Sequence, residues 1–196
     1  MFAVNLLTPS IGAEISGVSL NNELNNDTVE QIYNALIKYQ VIFFRNQNLS
    51  PESHLKLAES LGEIDPGHPV YPHVDGYQSI VLLKNDVNNK PDTADWHKDL
   101  TFKSNPPFAS ILHGVKVPKV GGDTLWASMS AAYDQLPEGW KNYLEELEAI
   151  HDMGTFRNDY YKEGGVESIN NALKTVGSAV HKVIETHPIS GLKYLN

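Results

Sequence analysis

The chain has 196 residues, 41% of them hydrophobic, a formal net charge of -9 and no cysteine. That length and apolar content are enough for one globular domain with a sizeable core. The acidic balance, without a Lys or Arg cluster, argues against nucleic acid or an anionic membrane as partner, and the lack of cysteine excludes disulfides and thiolate ligands, so any metal must be held by His, Asp or Glu.

Met1–Asn5 lacks the charged region and apolar run of a secretion signal, and no apolar stretch reaches membrane-spanning length, so a soluble cytoplasmic protein is expected. Ala13–Leu20 alternates as a strand does. Asp27-Thr28-Val29-Glu30 has the form of a capping box, after which Val29, Ile32, Tyr33, Leu36 and Ile37 recur at helical spacing. Val41–Phe44 is a short β-branched and aromatic run. Ser50-Pro51 supplies an N-cap and a first-turn proline for a helix through about Leu61.

Gln78–Leu83 is expected as a strand, Asn85–Asp95 as a polar loop, and Phe108–Val117 as a longer strand closed by a Gly121-Gly122 turn, with Thr124–Ala127 following. Two helices are expected within Met129–Glu148. Glu163–Gly177 has the composition of a mobile segment entering a helix, and Val180–Thr186 reads as a final strand. The coarse class is α+β. Neither repeats nor a second-domain boundary is visible.

Asp95-Trp96-His97-Lys98-Asp99-Leu100-Thr101-Phe102 carries the chemistry. The local pattern reads as strand, on which His97 and Asp99 face one way and Lys98 the other. An imidazole and a carboxylate on one face are two members of the 2-His-1-carboxylate set that holds Fe(II) in non-haem oxygenases. Trp96 is expected to pack in the core beside them.

Trp96–Phe102 resembles the metal-binding strand of the taurine dioxygenase family of Fe(II)- and 2-oxoglutarate-dependent oxygenases. Other blocks resemble the family in the same order: Ile11–Gly17, Gln40–Arg45, His68-Pro69-Val70-Tyr71-Pro72-His73, Gly121–Trp126 and Thr186–Gly191. The resemblance implies a double-stranded β-helix (jelly-roll) barrel with flanking helices, formed by residues 1–196 as one domain and incomplete at its C-terminus. The family's distal metal-binding His, and the Arg that grips 2-oxoglutarate, fall beyond Asn196.

Carried residue by residue, the resemblance makes His97 and Asp99 the catalytic Fe(II) ligands. It puts the Thr124 hydroxyl on the distal carboxylate of 2-oxoglutarate. It also puts His68 against the substrate sulfonate, Tyr71 and Phe102 in the pocket wall, and the Leu100 backbone N–H beside the substrate. Thr93 stands where the family commonly has a substrate-contacting Asn, a departure that bears on substrate identity. His73 is expected to cap or pack. His113, His151, His181 and His187 do not match the distal ligand position and are expected in packing or surface roles.

The implied reaction consumes 2-oxoglutarate and O2 and hydroxylates the carbon next to the sulfonate of a small molecule, with taurine first. Aldehyde, sulfite, succinate and CO2 result. Alternatives are an alkyl sulfate or small carboxylate as substrate, or an inactive fragment that acts only by binding a partner. A homo-oligomer is expected by the same resemblance.

Overall fold

The computed structural model describes residues 2–68, 71–86, 96–152 and 177–196. Its first unit is a three-stranded sheet. β1 (Ala3–Leu6) pairs antiparallel with β2 (Ala13–Ser16), and β2 pairs parallel with β3 (Ile42–Phe44). The crossover between the two parallel strands is α1 (Asn26–Tyr39), as parallel pairing requires a long connection. β2 is shorter than the alternation suggested, because Gly17 takes a φ of 87° directly after Ser16.

The cap of α1 also differs from expectation. Asn25, not Asp27, is the N-cap: its Oδ1 accepts the Thr28 N–H at 2.9 Å, leaving Asp27 in the first turn to favour the helix dipole. α2 (Pro51–Leu61) begins as expected, with Ser50 Oγ accepting the Ser53 N–H at 3.1 Å and Pro51 in the first turn.

Leu20, Ile32, Leu49 and Leu57 form the buried core between the helices and the sheet, with Ile42, Phe44, Leu61 and Ile111 packed against it. Ile32 is almost wholly buried, so truncating it to alanine would cost about 2–5 kcal/mol.

β4 (His73–Val74) and β5 (Tyr77–Val81) form a hairpin turned through Gly76 at φ 79°. Two short helices follow later, α3 (Met129–Asp134) and α4 (Glu138–Glu145), as the spacing predicts. β6 (Glu148–His151) pairs antiparallel with β7 (Ala179–Lys182), and β8 (Ile184–Thr186) with β9 (Lys193–Leu195). The single strand expected over Val180–Thr186 is thus two strands in two sheets. The break lies at Val183, whose N–H turns to the Leu147 carbonyl.

Neither Phe108–Val117 nor Thr124–Ala127 forms a strand. Their β-branched composition favours a pleated, half-buried surface, and that preference is expressed only where a neighbouring strand supplies a ladder. Instead the stretch lies over the first unit as irregular chain. The Phe108 ring stacks on Tyr33 at 5.4 Å, the Ile111 carbonyl meets His54 Nε2 at 3.1 Å, and Trp126 meets Phe43 edge-on at 5.2 Å. Val115 and Val120 stay 84% and 90% exposed, as side chains outside any packed layer do.

The α+β class holds, with the described strands in four small sheets. Among the described residues no helix is long and apolar enough to cross a membrane. Most of the Glu163–Gly177 segment, and most of the Asn85–Asp95 loop, lie outside the described residues.

Candidate metal centre

The expected metal-binding strand is not a strand. Trp96–Lys98 has no regular structure, and the chain turns at Asp99–Phe102 with Leu100 at φ 55°. An extended run needs a ladder partner to persist; here the backbone reverses, and a non-glycine residue in the left-handed region costs on the order of 1–3 kcal/mol that the surroundings must cover. Trp96, on the irregular stretch before the turn, is 70% exposed rather than packed in the core, since no neighbouring strand there supplies a layer to bury it.

The pairing nevertheless forms. His97 Nε2 lies 3.4 Å from Asp99 Oδ1, and both side chains are more than half exposed. Lys98 goes the other way, with its ammonium 4.7 Å over the Tyr194 ring and bonded to Asn196 Oδ1. The other Asp99 oxygen, Oδ2, accepts the Ser110 hydroxyl at 3.1 Å, so the carboxylate is oriented with Oδ1 toward the imidazole. Nothing in the sequence singles out Ser110. It sits 11 residues downstream of Asp99, and no local pattern ties a serine at that distance to a carboxylate.

Two donors each about 2.1 Å from a divalent ion and at right angles to one another stand roughly 3 Å apart. The observed 3.4 Å fits that spacing, and one imidazole with one carboxylate suits Fe(II). Among the described residues no group of three His, Asp or Glu is placed to hold a metal. The pair therefore fits two positions of the three-ligand set.

The loop preceding β4 is brought to the same turn. Asp65 links them: its Oδ2 takes the Lys103 ammonium at 2.5 Å and its Oδ1 accepts the Gly67 N–H at 3.0 Å. Gly67 has a φ of 112°, and a Cβ there would stand 2.6 Å from the Gln78 carbonyl of β5, so the bend needs glycine.

His68 follows directly. Its ring lies 4.7 Å from the Tyr71 ring, and its Nδ1 accepts the Tyr71 N–H at 3.4 Å, which in the neutral ring leaves the proton on Nε2. Burial pushes the His68 imidazole below its ordinary range, while the nearby Asp99 carboxylate pulls it up and Lys103 pushes it down. His68 is thus within electrostatic reach of Asp99. His73 serves as the expected packing histidine, with its Nε2 at 3.2 Å from the His68 carbonyl.

The remaining expected residues divide. Phe102 is buried at the end of the turn, and Leu100 within the turn is half-buried. Thr124 is exposed on the stretch anchored by Trp126, and among the described residues no hydrogen bond links it to the pair. Thr93 lies outside the described residues. Of the downstream histidines, His113 lies edge-on to His54 at 6.4 Å, His187 accepts turn amides through Nδ1, and His151 meets His181 edge-on at 4.9 Å.

A sequence profile described as "Taurine catabolism dioxygenase TauD, TfdA family" matches residues 3–196. The chain is 37% identical over 199 aligned residues to an alkylsulfatase of Acinetobacter baylyi, covering 96% of this chain and 60% of that protein. It is 38% identical over 190 residues to an alpha-ketoglutarate-dependent sulfate ester dioxygenase of Pseudomonas putida, covering 94% and 62%. Among solved structures, a taurine dioxygenase from Burkholderia xenovorans superposes with a TM-score of 0.78 at 32% identity, over 99% of this chain and 62% of that one. The chain thus spans about 60% of the length of these relatives.

Proposed function

The chain belongs to the taurine catabolism dioxygenase family, and from that premise we propose that it is the larger part of an Fe(II)- and 2-oxoglutarate-dependent oxygenase acting on small sulfur oxyanion compounds. His97 Nε2 and Asp99 Oδ1 would hold the metal; the 3.4 Å pair is the observation that carries the reading. The third ligand and the arginine for 2-oxoglutarate are proposed to come from sequence beyond these 196 residues. The β-rich part is proposed to complete a jelly-roll barrel within one domain, associating with copies of itself.

When bound, Fe(II) with 2-oxoglutarate and O2 supplies the oxidation of an unactivated C–H bond. The chain's own residues position the reactants. Ser110 holds the Asp99 carboxylate, and Asp65 ties the His68 loop to the metal turn through Lys103. The His68 Nε2–H is a donor suited to a sulfur oxyanion, with Tyr71 and Phe102 as wall. Thr124 is assigned by family position to the distal carboxylate of 2-oxoglutarate, Leu100 and Thr93 to the substrate.

An alkyl sulfate ester is the preferred substrate. The relatives at 37% and 38% identity described above are named for sulfate ester chemistry, and Thr93 departs from the asparagine expected for taurine. Hydroxylation of the carbon bearing the sulfate oxygen gives a hemiacetal ester that collapses to aldehyde and sulfate, with one succinate and one CO2 formed per O2 consumed. A sulfonate such as taurine is the second reading, favoured by the likeness to a structure named taurine dioxygenase; it would release sulfite.

The test uses the native full-length gene product with Fe(II), 2-oxoglutarate and either hexyl sulfate or taurine. Succinate with stoichiometric sulfate supports the first reading, and succinate with sulfite supports the second. No sulfur-substrate-dependent succinate from either compound would defeat both.

A further inference from the structure

We propose that His181 is a positioning residue for the metal pair, holding the Asp99 turn from behind through the carbonyls of Thr101 and Lys103. The proposal rests on the reading of His97 and Asp99 as metal ligands.

The observation begins in β7, where Ala179 and His181 face inward and Val180 and Lys182 outward. At 8% exposure, His181 is the buried polar side chain among the described residues. A buried polar ring is tolerated only if bonded, and its bonds are unusual. Nε2 lies 2.8 Å from the Thr101 carbonyl and 3.1 Å from the Lys103 carbonyl, partners 80 and 78 residues away. Carbonyls only accept, so the ring presents Nε2–H to both.

The two carbonyls flank the last residues of the turn that Asp99 opens. That turn has one bond of its own, Lys103 N–H to the Leu100 carbonyl at 3.0 Å, and no ladder. With Leu100 at φ 55°, something outside the turn must fix its path. His181 reaches it from behind, while the Lys103 ammonium reaches Asp65 in front.

The ring is itself backed. Its Nδ1 stands 3.7 Å from Glu185 Oε1, and Glu185 is held by the Tyr194 hydroxyl at 2.8 Å and the Asn196 amide at 3.3 Å. A chain of contacts thus runs from the β8–β9 hairpin through His181 to the residues just after Asp99. Direction of the carboxylate depends on the path of that turn, so the supporting ring sets ligand geometry without touching a ligand.

The full chain is compared with His181→Leu, which keeps bulk and removes the donor, and His181→Gln, whose amide can donate at similar reach. Amide hydrogen exchange at Lys103 should speed by about tenfold in the Leu variant and return most of the way in the Gln variant, while β1–β3 amides stay unchanged. Mn(II) affinity, measured by titration, should weaken about tenfold in the Leu variant and by less than about threefold in the Gln variant.

Ile184→Val is the control, since it loosens a buried side chain of β8 and leaves the His181 donor in place. Equal exchange at Lys103 in wild type and His181→Leu overturns the proposal, as does the same Mn(II) loss in the control. Should the Leu variant not fold, His181→Asn, too short to reach both carbonyls, takes its place against Gln. Unchanged Mn(II) binding in His97→Ala would instead sink the metal reading, whatever the exchange at Lys103.

Discussion

The Ser110 hydroxyl donates to Asp99 Oδ2 at 3.1 Å while Asp99 Oδ1 faces His97 Nε2 at 3.4 Å, so the carboxylate is divided between a hydroxyl support and the imidazole of the proposed metal pair. Support of a ligand carboxylate by a neighbouring hydrogen bond is typically worth a factor of 10–100 in metal affinity. Ser110 is exposed, where water can replace it, so Ser110→Ala should weaken Mn(II) binding by about tenfold, the low end of that range. Isothermal titration would read the loss, and an unchanged affinity would remove Ser110 from the site.

Removing a ligand should do more. His97→Ala or Asp99→Ala is expected to lower metal-dependent succinate formation by the full-length protein more than about 100-fold, beyond what outer contacts supply. Stability should change little, because both side chains are exposed. Near-normal turnover in either variant would show that the pair is not the metal site.

Gly67 positions His68, and its φ of 112° and the 2.6 Å approach to the Gln78 carbonyl leave no room for a methyl group. Gly67→Ala should therefore cost about 1–3 kcal/mol in urea unfolding. It should also raise KM for the sulfur substrate, since the loop must shift. A variant as stable as wild type would mean that the loop rearranges freely.

Lys103 and Asp65 are each about a quarter exposed, so their bond is worth more than a surface pair. Lys103→Met, which keeps the apolar stem, should lose about 1 kcal/mol, measured by chemical denaturation. Salt should shrink the difference between the two proteins only weakly, because the pair is partly shielded.

His54 contributes to the pH dependence, alongside His68 and His151, whose imidazoles burial also lowers. Burial holds its imidazole below the ordinary 6.5, with the bond to the Ile111 carbonyl opposing and His113 adding to the fall. The unfolded chain then binds a proton more readily than the folded one, so stability rises with pH through this window. Below the ordinary value the protonated form favours unfolding, and stability falls as pH drops from about 6.5. Replacing the ring by His54→Gln should flatten that slope in urea titrations at pH 5 and 7; an unaltered slope would assign it to other groups.

Local chemistry decided much of this protein in the sequence. Ser50-Pro51 starts α2 because a hydroxyl cap and a fixed φ act over three residues, and the Val29–Ile37 spacing makes α1 because a helix repeats every 3.6 residues. The His97–Asp99 pair and its opposed Lys98 were legible for a like reason: two residues apart, the side chains stay close even when the strand does not form.

Only the tertiary structure decided the rest. Phe108–Val117 has the residues of a strand but no ladder, and a ladder belongs to another segment, not to the run itself. The turn at Asp99, with Leu100 at φ 55°, is set by Lys103 reaching back to Asp65 and by His181 arriving from about 80 residues away. Such contacts depend on where distant chain is brought by packing, and no short-range pattern in the sequence encodes them.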